Sequence, residues 1–160
     1  GKTENLLAIQ NVSMLNALSN DLCVMRQSML FGNLEAVAYN INRKNNRLKF
    51  FEFGNTYHKY ESGYTEKKHL SLVITGDQNK ENWKVYNNTM DIFYLKGIIR
   101  TLLDRLGITK VKYNSVKNDL FSEAIGLSLG KTKLVEFGIV ICEILNDFGI
   151  KQDILFADFN

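Results

Sequence analysis

The chain has 160 residues, 45% of them hydrophobic, 23% charged and 11% aromatic, and it contains no proline. That length suits one domain with a real core, and the apolar fraction excludes intrinsic disorder, collagen-like repeats and proline-rich recognition segments. A net charge of +3, from 20 basic and 17 acidic residues, is milder than that of dedicated nucleic-acid modules.

In chain order, residues 6–12 form a short apolar stretch compatible with a strand, followed by the turn-rich Asn16-Ala17-Leu18-Ser19-Asn20-Asp21. Ser28 then precedes apolar residues at Met29, Leu30, Leu34, Val37, Ala38 and Ile41, the spacing of one helix face. Ser28 reads as the N-cap, and the polar Lys44-Asn45-Asn46 ends the helix near Arg43. Ala36, Ala38 and Tyr39 add small or apolar groups on other sides, which suggests burial on two faces.

Residues 48–57 carry Phe50, Phe51, Phe53 and Tyr57, a strand-like enrichment on both alternating faces, so this strand reads as central. Residues 60–68 read as a polar loop, and residues 70–75 as a second strand stopped by Gly76-Asp77. The Asn/Lys-rich stretch 78–88 holds the only tryptophan, Trp83. Asp91 then caps a helix whose Ile92, Leu95, Ile98, Ile99, Leu102, Leu103 and Leu106 fall at helical spacing, with Gly107 as the stop.

The last third reads as strands over 111–116, 125–129, 134–137 and 154–159, with a short helix at 143–148 before Gly149. This order is not a strict βαβ alternation. It predicts one α+β domain over residues 1–160, an antiparallel or mixed sheet with helices on one side.

Elements of chemistry are sparse. Cys23 and Cys142 form no CxxC and His58 and His69 lack metal-ligand spacing, so the thiols read as buried or half-buried in a reducing compartment. No apolar run approaches the ~18 residues of a membrane helix, and the N-terminus has no signal pattern, so a cytoplasmic protein is expected. Gly126-Leu127-Ser128-Leu129-Gly130 alternates like a strand and is no phosphate loop. His58 and His69 read as edge or surface histidines at strand ends, and Glu52 and Glu61 as strand-end charges. No catalytic, cofactor-binding or metal-binding residue is assigned.

Several stretches, in order, resemble one family. Asn16-Ala17-Leu18-Ser19 and Met25-Arg26-Gln27-Ser28-Met29-Leu30 are similar to a segment of the bacterial phenylalanine–tRNA ligase beta subunit that reads Asn-Pro-Leu-Ser, then Met-Arg-x-Ser-Leu-Leu-Pro-Gly. The likeness continues through Ala38-Tyr39-Asn40-Ile41-Asn42-Arg43, Phe51-Glu52-Phe53-Gly54, Ile74-Thr75-Gly76, Trp83 and Asp91 to Gly97. It closes with Glu136-Phe137-Gly138 and Phe156-Ala157-Asp158, and so spans essentially the whole chain.

The resemblance implies a class II synthetase-like antiparallel sheet flanked by helices, a fragment of a longer beta subunit, and a degenerate copy of a catalytic domain. Class II chemistry holds ATP's phosphates with arginines, whose planar guanidinium bonds two oxygens at once. One is expected in an Arg-x-Glu strand, where this chain reads Leu48-Lys49-Phe50-Phe51-Glu52, and no arginine follows Arg105. The expectation is no cofactor here, with ATP and magnesium used by the whole enzyme, an alpha-beta heterotetramer.

By the same resemblance the 28–43 helix packs on the alpha subunit, with Leu34, Val37, Tyr39, Asn40 and Arg43 as candidate contacts. The competing reading is an ordinary core helix, in which Asn40 and Arg43 serve as C-terminal caps. Transfer RNA contact would fall on the Lys/Asn-rich 79–84 or 110–117. A stand-alone synthetase-like binding module is the alternative function. Proline is usual in the family where this chain has Ala17, Phe31 and Cys142.

Overall fold

The computed structural model describes residues 12–13, 24–61, 63–79 and 88–160. Six antiparallel strands form one sheet: β1 (Leu48–Tyr60), β2 (Gly63–Thr75), β3 (Lys112–Ser115), β4 (Phe121–Leu129), β5 (Thr132–Val140) and β6 (Leu155–Phe159). Their order across the sheet is β1-β2-β6-β5-β4-β3. The three described helices are α1 (Leu30–Ile41), α2 (Ile92–Arg105) and α3 (Cys142–Asp147). The expected strand over 6–12 lies outside the described residues but for Val12. Ala17, Cys23 and Trp83 also lie outside them.

Side chains alternate between the faces of a strand, and each face here has its own core. On one face Leu48, Val73, Phe156 and Val140 pack with Leu30, Leu34 and Val37 of α1 and with Ile144 and Leu145 of α3. On the other, Leu72, Ile74, Leu155, Phe137 and Leu127 pack with Leu95, Ile99 and Leu103 of α2. The helices therefore cover both faces, not one. The order of elements in a sequence does not determine the face to which each connection crosses.

Helix limits follow the local signals closely. The Asp91 side chain accepts from the Tyr94 N–H at 2.8 Å, and the chain turns away at Gly107 with φ +76°. Ser28 sits one residue before the cap of α1: Met29 holds that position, while the Ser28 hydroxyl accepts from the Leu30 N–H at 3.1 Å. Met29 is buried in the core, and this anchoring fixes where the helix begins.

Two strand expectations change. β1 is an edge strand, not a central one: Phe50 packs against the α1-side core, but Phe51 and Phe53 remain 70% and 74% exposed. Residues 60–68 are not a loop either. β1 and β2 pair continuously from Leu48↔Thr75 to Tyr60↔Gly63. β6 pairs with β2 only over Leu70–Ile74, so the rest of the hairpin runs on as a two-stranded ribbon. Its polar, charged and tyrosine side chains suit a ribbon that is largely exposed, with Thr56 buried on the α1 side.

Candidate functional site: a polar track and the outer face of the first helix

Alternate residues of four neighbouring strands place a line of polar groups on the α1 side of the sheet. Thr56 and His58 come from β1, His69 and Ser71 from β2, Asp158 from β6 and Glu136 from β5. Register sets Ser71 beside Asp158 and Glu136 beside Asp158. Ser71 is fully buried and receives a hydrogen bond from Asn33 Nδ2 of α1 at 3.0 Å; the same amide donates to the Met29 carbonyl at 2.7 Å.

Asp158 Oδ1 lies 2.8 Å from His69 Nδ1, and His69 Nε2 lies 2.9 Å from the Thr56 hydroxyl. His58 Nε2 contacts that hydroxyl from the other side at 3.2 Å. Both histidines therefore sit inside strands within a shared network, not at exposed strand ends. Burial lowers the His58 pKa, helped by the charges of Lys67 and His69. Burial raises the Asp158 pKa, and the neighbouring His69 opposes that shift. Further along, Glu136 is paired with Lys133 and accepts from Asn118 at 2.6 Å.

An Asp–His–hydroxyl order is the arrangement that activates a nucleophile. Here the hydroxyl belongs to Thr56, which is 1% exposed, so a substrate has no approach to it. The track does not fit a polyphosphate either. Arg26, the guanidinium on this face, bonds Glu52 at 2.7 Å and the Asn55 carbonyl at 2.9 Å, and it lies where a side chain at Gly54 would overlap it. Arg43 rests on Tyr39, Arg47 donates to the carbonyls of Asp77 and Gln78, Arg100 pairs with Asp104, and Arg105 lies on α2. Among the described residues, no three His, Cys, Asp or Glu side chains are grouped to hold a metal ion.

The five interface candidates divide by face. Leu34 and Val37 are fully buried in the chain's own core. Tyr39 is 58% exposed, with the Arg43 guanidinium 3.4 Å from its ring centroid. Arg43 Nη1 also donates to the Tyr39 carbonyl at 3.1 Å, and Asn40 Nδ2 to the Ala36 carbonyl at 2.8 Å. Tyr39, Asn40 and Arg43 thus form the outward surface, and the two capping contacts coexist with it.

Sequence reasoning missed the exposed Phe51–Phe53 pair, whose rings meet edge-on at 6.1 Å. Aromatic residues on both faces of one strand signal an edge with a covered side as readily as a central strand. Of the two loops considered for RNA contact, 79–84 lies outside the described residues but for Asn79. The other contains β3, whose residues are all exposed. Cys142 is an exposed free thiol, not a buried one. No helix among the described residues is long and apolar enough to cross a membrane.

Comparison with known proteins gives a consistent result. The sequence pattern of the family described as the phenylalanyl tRNA synthetase beta chain CLM domain matches residues 4–160. The chain is 36% identical over 169 residues to the phenylalanine–tRNA ligase beta subunit of Bacteroides thetaiotaomicron, covering 98% of this chain and 21% of that protein. It is also 36% identical over 161 residues to the Bacteroides fragilis beta subunit, covering 93% of this chain and 20% of that one. The chain thus spans about a fifth of the length of these relatives. In fold it is similar to a Desulfitobacterium hafniense pyrrolysyl tRNA synthetase, with TM-score 0.67, 18% identity, and coverage of 94% of this chain and 50% of that one.

Proposed function

The chain belongs to the phenylalanyl tRNA synthetase beta chain CLM domain family, and from that premise we propose that it is a non-catalytic, synthetase-like domain that scaffolds a phenylalanine–tRNA ligase. The observation that carries the non-catalytic half is the pairing of the track. Arg26, Lys133 and His69 each face a carboxylate of the chain itself: Arg26–Glu52, Lys133–Glu136 and His69–Asp158, while the charge of Lys67 lies near His58. A face that binds a nucleoside triphosphate needs donors free to meet it.

In this reading ATP and magnesium are held by the alpha subunit, in a cytoplasmic alpha-beta heterotetramer. Contact with alpha runs through the outer side of α1, where Tyr39, Asn40 and Arg43 present an aromatic and cationic surface. Such residue types are enriched in protein interfaces. Transfer RNA is bound by the whole assembly.

The test has two arms. Purified chain is incubated with phenylalanine, ATP and labelled pyrophosphate; no exchange above background is expected, and clear exchange overturns the non-catalytic reading. Co-expression with a Bacteroides-type alpha subunit should give a complex on size exclusion. Failure to copurify favours a stand-alone module.

A further inference from the structure

We propose that the outer edge of β1, over residues 49–53, pairs with the same edge of a second copy of this chain, joining the two sheets about a two-fold axis at Phe51. β1 is the last strand on its side of the sheet. Its backbone groups point alternately to β2 and to the open edge. Asn55 and Tyr57 point outward, since the Asn55 carbonyl accepts from Arg26 Nε at 2.9 Å and the Tyr57 N–H donates to the Arg26 carbonyl at 2.9 Å. The register with β2 is unbroken from Leu48 to Tyr60, so Lys49, Phe51 and Phe53 point the same way. Among the described residues, nothing beyond the edge bonds their N–H or carbonyl groups.

Sheet edges are ordinarily kept from pairing by shortness, charge, proline or a bulge. The opposite edge follows that rule: β3 has four residues, Lys-Tyr-Asn-Ser, all exposed. β1 does not. It has 13 residues, no register shift against β2, and no proline. Its free stretch presents Phe51 and Phe53, both mostly exposed. The two charges there are drawn back onto their own chain, where Lys49 Nζ donates to the Tyr94 hydroxyl of α2 and Glu52 accepts from Arg26. Neither bars the approach of another strand.

The free stretch is its own complement. Its outward residues are symmetric about Phe51, so antiparallel pairing sets Phe51 opposite Phe51 and Lys49 opposite Phe53, with each pair exchanging both backbone bonds. Phe51 stands beside Leu72 of the α2-side core, so both copies place their Phe51 and Phe53 rings on that one face. There Lys49 of one copy meets the Phe53 ring of the other, a favourable contact for a cation. On the α1 side Glu52 meets Phe50. No like charges face each other across the strands.

Other registers lose bonds. An axis at Phe53 sets Asn55 and Tyr57 against the other copy, where Arg26 already holds their outward groups. An axis at Lys49 pairs residues that precede the strand, which begins at Leu48. With the axis at Phe51, Asn55 falls opposite residue 47, so Arg26 lies past the end of the other copy's strand. A head-to-tail contact of β1 on β3 would run on into a filament, whereas the two-fold contact closes at two copies. A paired stretch this short gives a small interface, so association is reversible and driven by concentration. It uses none of Tyr39, Asn40 and Arg43, so the contact proposed with an alpha subunit is tested separately.

The test is sedimentation equilibrium of the 160-residue chain over a range of concentrations, with residue-resolved amide exchange at both ends of the range. The average mass should rise from one chain to two and level there. Where about nine tenths of the chain is dimeric, the amides of Lys49, Phe51 and Phe53 should exchange about tenfold more slowly than in the monomer, since about one copy in ten is open. Those of Lys112–Ser115 should keep their rate. Phe51→Lys sets like charges face to face on the axis and should weaken association about tenfold, with the melting of the dilute chain unchanged because the ring is exposed. Phe93→Lys, at an equally exposed ring on α2, should leave association as it was. A chain that stays monomeric, association untouched by Phe51→Lys, or protection on Lys112–Ser115 in place of residues 49–53 overturns the pairing. Protection of residues 49–53 that appears only with an alpha subunit overturns it in favour of that partner.

Discussion

Truncating Leu34 and truncating Tyr39 should separate two jobs done by one helix. Leu34 is fully buried in the core between α1 and the sheet. Leu34→Ala therefore removes transfer free energy and leaves a cavity that neighbours on three elements cannot collapse, a loss of about 3–5 kcal/mol. For a chain of this size, each kcal/mol lowers the melting temperature by about 2–4 °C, so the shift is roughly 6–20 °C. Tyr39 is mostly exposed, and its measurable contact within the chain is the stacked Arg43. An exposed cation–π pair contributes about 0.5–1 kcal/mol, so Tyr39→Ala shifts melting by less than about 4 °C. Urea and thermal unfolding followed by circular dichroism read both. Copurification with alpha should show the reverse order, with Tyr39→Ala the more damaging at equal protein stability. Comparable melting shifts in the two variants, or a Leu34→Ala shift under about 3 °C, would refute the division of the helix into a core side and a partner side.

Restoring proline separates two sites that look alike in sequence. Cys142 is the first residue of α3, with no acceptor for its N–H among the described residues, and Ile141 before it has the extended φ −65°, ψ 147° that proline tolerates. Cys142→Pro should raise stability by about 0.4–1 kcal/mol in urea unfolding, whereas Phe31→Pro should lower it, because the Phe31 ring stacks on Phe148 at 6.5 Å and packs on the core. Gly76 has φ +87°, and a methyl group there would overlap the Asn46 carbonyl, while Gly107 at φ +76° has open space around it. Gly76→Ala should cost at least about 2 kcal/mol and Gly107→Ala about 1, so equal losses in unfolding would show that the close approach at Gly76 does not matter.

The elements that sequence reasoning read well have their determinants close together in the chain. Asp91, the i, i+3, i+4 run of α2 and Gly107 together specify a helix almost to the residue, because cap, stripe and stop are all local. Phe121–Leu129 and Thr132–Val140 were visible through alternation, with ends a few residues short. What failed was relational. Whether β1 is central or at an edge depends on what lies beside it, and the aromatic run is compatible with both. In sequence the ribbon looks like a loop because its residues are mostly polar, and its buried position, Thr56, is polar too, which removes the hydrophobic signal of a strand. The polar track was invisible for the same reason. Thr56, His69 and Asp158 lie 13 and 89 positions apart where they touch, and nothing at the level of one strand marks them as neighbours.

The five interface candidates show the same limit from another side. Helical spacing identifies which residues share a face, and it grouped Leu34 with Val37 correctly. It does not say which face the sheet takes. Tyr39 and Arg43 are also one turn apart, and only the structure shows that their turn faces outward.

The surface that remains unmatched points to the kind of partner this fold wants. A binding site for a small charged substrate keeps polar donors available, since each must trade a water for a ligand atom without first breaking an internal bond. On the α1 side of this sheet Arg26, His69 and Lys133 meet carboxylates of the chain, and Asn33 meets Ser71. The exposed side chains that stand out are instead large and apolar: Phe51 and Phe53 on an edge strand, Phe93 and Leu106 at the two ends of α2, and Tyr39 on α1. Exposed apolar groups gain free energy from being covered, and what covers groups spread over a strand edge and two helices is another polypeptide surface. The fold therefore satisfies much of the polar demand of this face from within and leaves an apolar demand outside. That combination suits a synthetase-like domain kept for assembly.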